Sequence, residues 1–339
     1  MARDHSGGAV PTSIADRWYR LYAAIGFMPM LLFVFIILLA LFVPHFLALQ
    51  NIFNVLRSSS YLVIMAAGQM LVLIVGGFDL SVGAVVALTS VTSALVMVAL
   101  SSTFGDYPGL IIFLGVAAGL GSGLAVGLVN GLCVAYLRVA PFMVTLGTMS
   151  IATGIAQWLT SGIPVYGMPV GFVDGFGRGL WLRLPTAVYL AVGIVVLVWI
   201  MQNFTRMGRY IYAIGGNFQA ATVSGVPTRL YLIGAYVICS MMASVSGLAL
   251  TAQIGSGQAV ISSQLTLESI AAAVIAGVSL KGGVGRVELV ALAAVFLLIL
   301  TNAMDLLKID PRIQTIFLGI IVVLAVALDE LAKRKTRLA

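Results

Sequence analysis

Apolar runs of about 20 residues recur along nearly the whole chain and are separated by short polar breaks. A run of that length crosses the hydrocarbon core of a bilayer as a helix. Ten runs stand out, at about 21–43, 54–76, 82–100, 109–136, 142–160, 185–202, 229–250, 267–280, 287–304 and 312–329. The eighth is too short to cross unaided, which predicts a broken or tilted helix. The first is too long for the core of a signal peptide, and no small-residue cleavage site follows it, so it reads as a retained helix. The pattern predicts an all-α integral membrane protein of about ten transmembrane helices. It divides the chain into a polar tail over 1–20, a membrane domain over 21–329 and a basic tail over 330–339.

Composition supports lipid as the main solvent. Of 339 residues, 61% are hydrophobic and 9% charged, with a mean hydropathy of +1.13. A soluble domain carries about 25% charged residues, so a soluble globular enzyme is excluded. The net charge of +7 need not mean nucleic acid in a membrane chain, and none is expected as a partner. With the N-terminus inside, the cytoplasmic segments hold Arg3, Arg17, Arg20, Arg138, Arg206, Arg209, Arg229, Lys281, Arg286, Lys333, Arg334, Lys335 and Arg337. The outer segments hold only Arg57, Arg178, Arg183, Lys308 and Arg312. The excess inside is what membrane topology favours, and an even number of spans puts both termini in the cytoplasm. Trp18, Tyr19, Trp181 and Trp199 fall near span ends, where interfacial aromatics belong. Cys133 and Cys239 sit in apolar runs, and His5 and His45 stand without companions, so neither a disulfide framework nor a metal site is expected.

The two halves of the chain echo each other. Span five opens with Pro141 and Thr145, and span ten with Pro311 and Thr315. Spans two and three are joined by GGFDLSVG (76–83), and spans seven and eight by GSGQAVISS (255–263). Glycine-interrupted apolar segments at matching places in two halves point to an inverted repeat and a transport pathway.

Several residues carry candidate chemistry. Gly115, Gly119, Gly123, Gly127 and Gly131 recur at i+4 on span four and form a groove for a neighbouring helix. Asn130 beside it is either interhelical glue or a pathway group. Asp79 or Ser81 either caps span three or lines a watery cavity. Glu268 reads as a first-turn acid or as a pathway group. Thr145 and Asn302 complete the candidate pathway. The run KGGVGR (281–286) lacks the spacing of a phosphate loop. No nucleotide-binding motif, zinc-protease motif or catalytic triad is found, so no catalytic residue and no cofactor is assigned. Loop 161–184 is placed outside and polar loop 203–228 inside.

Four stretches carry a family likeness: IVGGFDLSVGAVVALTS (74–90), APFMVTLGTMSIATGIAQWLTSG (140–162), MGRYIYAIGGNFQAATVSGV (207–226) and LTAQIGSGQAVISSQLTLESIAAAVIAGVSLKGGVGRV (250–287). Over about residues 50–330 the chain resembles the membrane subunit of ribose-type ATP-binding-cassette sugar importers. The resemblance implies a type II, vitamin-B12-importer-like helical fold. It also implies two copies of a cytoplasmic cassette ATPase, a periplasmic sugar-binding protein and a second permease copy or a sister permease. The bacterial inner membrane is the implied location. It marks Gly208, Arg209, Tyr210, Gly215, Gly216, Asn217, Gln219, Ala220, Ala221 and Gly225 as the loop that meets the ATPase. Ala213 belongs to the same stretch. Gln219 stands where the family usually has an acid, and Thr266-Leu267-Glu268 where it has Glu-Leu-Asp.

The expected function is import of a monosaccharide or small polyol, resembling ribose, galactose or xylose, with ATP hydrolysis in a separate chain. An ion-gradient-driven secondary transporter would need a relay of intramembrane acids, for which only Asp79 and Glu268 are at hand. A membrane enzyme would need clustered acids or histidines. A branched-chain amino-acid permease is the nearest rival within the cassette class.

Overall fold

The computed structural model describes residues 27–261 and 264–338. The predicted tail over 1–20, with its arginines, His5, Trp18 and Tyr19, lies outside the described residues, as do positions 21–26 of the first predicted span. The chain is helical throughout: α1 (Phe27–Phe42), α2 (Leu49–Ile74), α3 (Val82–Phe104), α4 (Pro108–Ala135), α5 (Pro141–Thr160), α6 (Thr186–Phe204), α7 (Arg206–Gly216), α8 (Phe218–Val223), α9 (Thr228–Ile254), α10 (Leu265–Ile275), α11 (Val287–Leu306) and α12 (Pro311–Leu338). Between α5 and α6 lie one π-helical segment, Gly171–Gly177, and a small hairpin of β1 (Leu180–Trp181) and β2 (Leu184–Pro185). Seven helices, α2 to α6, α9 and α11, are long and apolar enough to cross a membrane. Three shorter apolar stretches, Met28–Phe42, Leu265–Ile275 and Pro311–Ile321, fall where the first, eighth and tenth spans are predicted. The eighth is an eleven-residue half-helix. Helix α12 runs on through the basic residues that the sequence reading assigns to a tail.

Local chemistry sets the helix ends. Pro108 and Pro141 open α4 and α5, where the missing N–H loses nothing. Gly76 follows α2 and Gly255 follows α9, both at positive φ (79° and 82°), the left-handed turn that glycine adopts freely. Arg138 and Lys308 each stand three residues before the proline of the next helix, and both adopt left-handed backbone (56° and 57°).

Helix α2 forms the centre, buried without a break from Ser59 to Ile74, and packs on α9. Around this pair the remaining helices alternate. Helix α4 lies on α9 and α11 on α2; α3 packs on α9 and α10 on α2; α5 closes on α3 and α12 on α10. The five glycines at i+4 spacing on α4, Gly115 to Gly131, are buried and let α3 and α9 approach the backbone. A Cβ at Gly127 would lie 2.8 Å from Val237 Cα, and one at Gly131 2.8 Å from Ile233 Cα. A methyl at Gly123 would collide with Ser244 and Ser240 O, one at Gly115 with Met97, and one at Gly119 with Thr89. By contrast, α5 turns Phe142, Met143, Ile151 and Trp158 outward, as a helix solvated by lipid or another apolar face does.

Residues 255–261 are not helical. They leave α9 at the far end of the bundle and descend beside α3. Gly257 exchanges two 2.8 Å backbone hydrogen bonds with Val165, and Gln258 N donates to Ser90 Oγ at 3.1 Å. By Thr266 the chain has reached the start of α3.

Candidate functional site

The turn between α2 and α3 carries a buried polar network. Asp79 has no exposed surface. Its Oδ1 accepts from Ser81 N (2.8 Å) and Ser81 Oγ (2.6 Å). Asn130 Nδ2 on α4 donates to Ser81 Oγ at 2.9 Å, and Thr148 Oγ1 on α5 donates to Asn130 Oδ1 at 2.7 Å. Thr145 Oγ1 lies 3.3 Å from Phe78 O and 3.0 Å from Pro141 O. One turn, two helices and the start of α3 are thus tied together, as buried polar groups require.

The capping role of Ser81 needs correction, whereas Asp79 Oδ1 does accept the amide of Ser81 at the N-cap of α3. Ser81 immediately precedes α3, yet its side chain bonds no helix amide. The first-turn amide of Gly83 instead donates to Thr266 Oγ1 at 3.0 Å, a hydroxyl 183 positions away in the chain. A long-range partner does the work that a local cap would have done.

Next to this network lies a cleft of about 310 Å³, walled by Gly83, Ala84 and Ala87 of α3, by Met149, Thr153 and Gln157 of α5, and by Ala259, Val260 and Thr266. Its polar groups are hydroxyls and one amide, without charge. Such a surface can hold a neutral, hydroxyl-bearing solute by exchangeable hydrogen bonds.

The structure brings Asp79, Ser81, Asn130 and Thr145 together but keeps Glu268 and Asn302 apart from them. Glu268 stands in the first turn of α10. Asn302 on α11 exchanges two amide hydrogen bonds (2.8 and 2.9 Å) with Asn51 on α2. Sequence reasoning missed Thr148, Thr153, Gln157 and Thr266. Thr148 and Thr145 lie three apart on one face of α5, a spacing that marks a shared polar stripe.

At one end of the bundle the polar stretch 203–228 forms an elbow of two helices. Thr205 Oγ1 accepts from Gly208 N at the start of α7, and Asn217 Oδ1 accepts from Ala220 N at the start of α8. Helix α7 carries Gly208, Arg209, Tyr210, Gly215 and Gly216; α8 carries Gln219, Ala220 and Ala221; Gly225, at φ 82°, closes the turn that follows. Arg209, Gln219 and Ala220 are exposed. Tyr210 meets Tyr231 edge-on at 5.0 Å.

This elbow is wedged into both central linkers. Gly283 N donates to Ile74 O at 2.8 Å, and Gly215 lies so close that a Cβ there would collide with both atoms. Tyr212 Oη donates to Gly285 O, Gln202 Nε2 donates to Tyr212 Oη at 2.8 Å, and Val287 N donates to Gln202 Oε1 at 3.2 Å. Burial pushes the Tyr212 phenol above its ordinary range, Glu288 adds to this and Arg286 opposes it, so the phenol keeps its proton for Gly285. Arg229 lies 5.2 Å over the Tyr136 ring at the same end. Arg57 and Arg178 meet at the other end, where Arg57 Nη2 donates to Arg178 O at 2.8 Å. Cys133 and Cys239 are free thiols, and among the described residues no three His, Cys, Asp or Glu side chains gather for a metal.

Comparison with known proteins matches this architecture to a family. The family described as branched-chain amino acid transport system / permease component matches residues 51–326. The chain is 36% identical over 305 residues to the ribose import permease protein RbsC of Escherichia coli K12, covering 88% of this chain and 91% of that one. It is 37% identical over 320 residues to the galactose/methyl galactoside import permease protein MglC of Haemophilus influenzae, covering 89% and 94%. It is 35% identical over 298 residues to the L-arabinose transport system permease protein AraH of Escherichia coli K12, covering 88% of each. No solved structure matches the chain. With its buried central helices, apolar outer faces and relatives matched over most of their length, the chain belongs to this permease-component family as a multi-pass inner-membrane transport subunit rather than an enzyme.

Proposed function

We propose that this permease belongs to an ATP-binding-cassette importer for a monosaccharide or small polyol, with the elbow end in the cytoplasm. The relatives named above act on ribose, galactose and arabinose, which supports the substrate class. The neutral polar cleft is suited to such solutes, and the basic segments gathered with the elbow support the orientation. A pair of cassette ATPases grips α7 and α8, a periplasmic binding protein delivers the solute at the opposite end, and a second permease completes the pathway against the outward face of α5.

The observation that carries the coupling is the contact of Gly215 with Ile74 O and Gly283 N. Any displacement of α7 is felt at once by the end of α2 and by the turn that leads back into α10. The change of access is then a shift between two packings, biased by what the ATPase binds.

The same reading includes a type II arrangement of about ten spans with an inverted repeat, α2–α5 against α9–α12. Three pairs of features support it. Left-handed glycines follow α2 and α9. Left-handed Arg138 and Lys308 precede the two prolines. Thr145 reaches the α2–α3 turn, and Thr315 accepts from Gln264 of the α9–α10 segment at 3.0 Å.

Reconstitution tests the proposal. Vesicles holding the permease, its ATPase and its binding protein are expected to accumulate the sugar only when ATP and all three proteins are present. Uptake at an undiminished rate without the ATPase would overturn it.

A further inference from the structure

Helix α10 has only eleven residues, Leu265–Ile275, and its first turn stands beside open space. Two adjoining cavities occupy that space. One, of about 360 Å³, is lined by Asn51, Asn54 and Ser58 of α2 and by Thr301, Asn302 and Asp305 of α11. The other, of about 290 Å³, lies deeper and reaches Tyr61, Gln264 and Glu268. Ser58 and Leu298 line both. Together they fall within the range of roughly 300–1,000 Å³ typical of small-molecule sites.

We infer that this pair of cavities is a binding vestibule for a hydroxyl-rich neutral solute, entered from the end opposite the elbow and floored by the first turn of α10. It is separate from the cleft between α3 and α5.

The chemistry of the walls carries the assignment. Four amides, three hydroxyls and two carboxylates line the pair and offer both donors and acceptors, which suits vicinal hydroxyls of a sugar or polyol. No Lys or Arg lines either cavity, so an anionic solute finds no counter-charge. The reciprocal Asn51–Asn302 pair can open both amides to a ligand without stranding a buried charge. Tyr61 also lines the deeper chamber.

The floor gives the vestibule a use. Gln264, just before α10, donates to Thr315 Oγ1, and Thr266 in the first turn accepts from Gly83 N. Helix α10 continues into the turn locked against Gly215. A solute held here waits above the element that the elbow can displace. This use rests on the proposed import function, whereas the binding itself does not.

Cysteine protection tests the binding. In full-length permease with Cys133 and Cys239 replaced by Ala, Thr301→Cys and Asn54→Cys are exposed on intact cells to a membrane-impermeant thiol reagent. Labelling is expected, and it should slow at least threefold in high concentrations of ribose, galactose or arabinose but not of a charged amino acid. Arg183→Cys, in the hairpin at the same end, should label at a rate independent of sugar. No labelling of either vestibule position, or labelling that no sugar slows, would overturn the inference. A companion variant, Thr301→Val, keeps the volume and removes the hydroxyl. It is expected to raise the half-saturating sugar concentration for protection of Asn54→Cys at least threefold, and an unchanged value would count against the site. Because protection is scored by thiol labelling and not by uptake, it can succeed where the import reading fails, and the reverse.

Discussion

In the repeat proposed above, α2–α5 corresponds to α9–α12, and the two sets differ in how their second and third helices are built. In the first, α3 is a full 23-residue helix, and the glycine groove of α4 brings backbones into contact with α3 and α9. Its turn is held by a network that is completely buried. In the second, α10 has 11 residues and α11 has no glycine groove, and two adjoining cavities lie between α2 and α11, against one cleft between α3 and α5 in the first. Close-packed interiors resist rearrangement, and gaps lower the free energy of local opening. We propose that the first set serves as scaffold and the second as the moving part, with the elbow touching the linkers of both.

The strongest challenge to this contrast is to overfill the groove. Gly123→Leu or Gly127→Leu is expected to abolish folded protein, because overpacking costs about 1–3 kcal/mol for far smaller additions. Gly121→Leu, on the open face of the same helix, should stay within about 0.5 kcal/mol of the parent by thermal unfolding in detergent. Equal effects would remove the scaffold role of the groove.

Gly215→Ala adds one methyl where Ile74 O and Gly283 N leave no room. The account expects the complex to assemble while uptake falls at least tenfold, and stimulation of ATP hydrolysis by loaded binding protein should be lost. Unchanged uptake would disconnect the elbow from the linkers.

Asp79→Ala leaves Ser81 N and Oγ without their acceptor, with an expected loss of about 1–3 kcal/mol in unfolding free energy. The smallest effects sharpen the comparison most finely. Thr145→Val, in the buried turn, is expected to cost about 0.5–1.5 kcal/mol. Thr315→Val, whose bond to Gln264 is exposed, should cost close to nothing. The reverse order would mean that the second set, not the first, is the tightly held one.

Much of this arrangement can be read from the residues. Span positions follow from apolar length, because the bilayer demands it. The short apolar stretch at 267–280 already announces a half-helix, and the i+4 glycines announce a groove. What escapes is whatever a distant segment supplies. The capping role read for Asp79 or Ser81 follows a local rule and holds for the Ser81 amide taken by Asp79, whereas the hydroxyl that meets the Gly83 amide comes from Thr266. Asn302 belongs with the pathway candidates by residue type alone, and only the packing of α11 on α2 pairs it with Asn51. The elbow reads as loop because it is polar and glycine-rich, although buried Gly208, Ile211 and Ile214 recur at helical spacing. Its chemistry was visible, but its contact with Ile74 and Gly283 was not.

The central claim is that a separate ATPase acts on the elbow from the cytoplasm. The most direct measurement places a single cysteine at exposed Gln219, in a permease otherwise free of cysteine, and compares an impermeant maleimide on intact cells and on inside-out vesicles. The account predicts labelling only in the inside-out vesicles, with protection when the ATPase is bound. Labelling of Gln219→Cys on intact cells would contradict it.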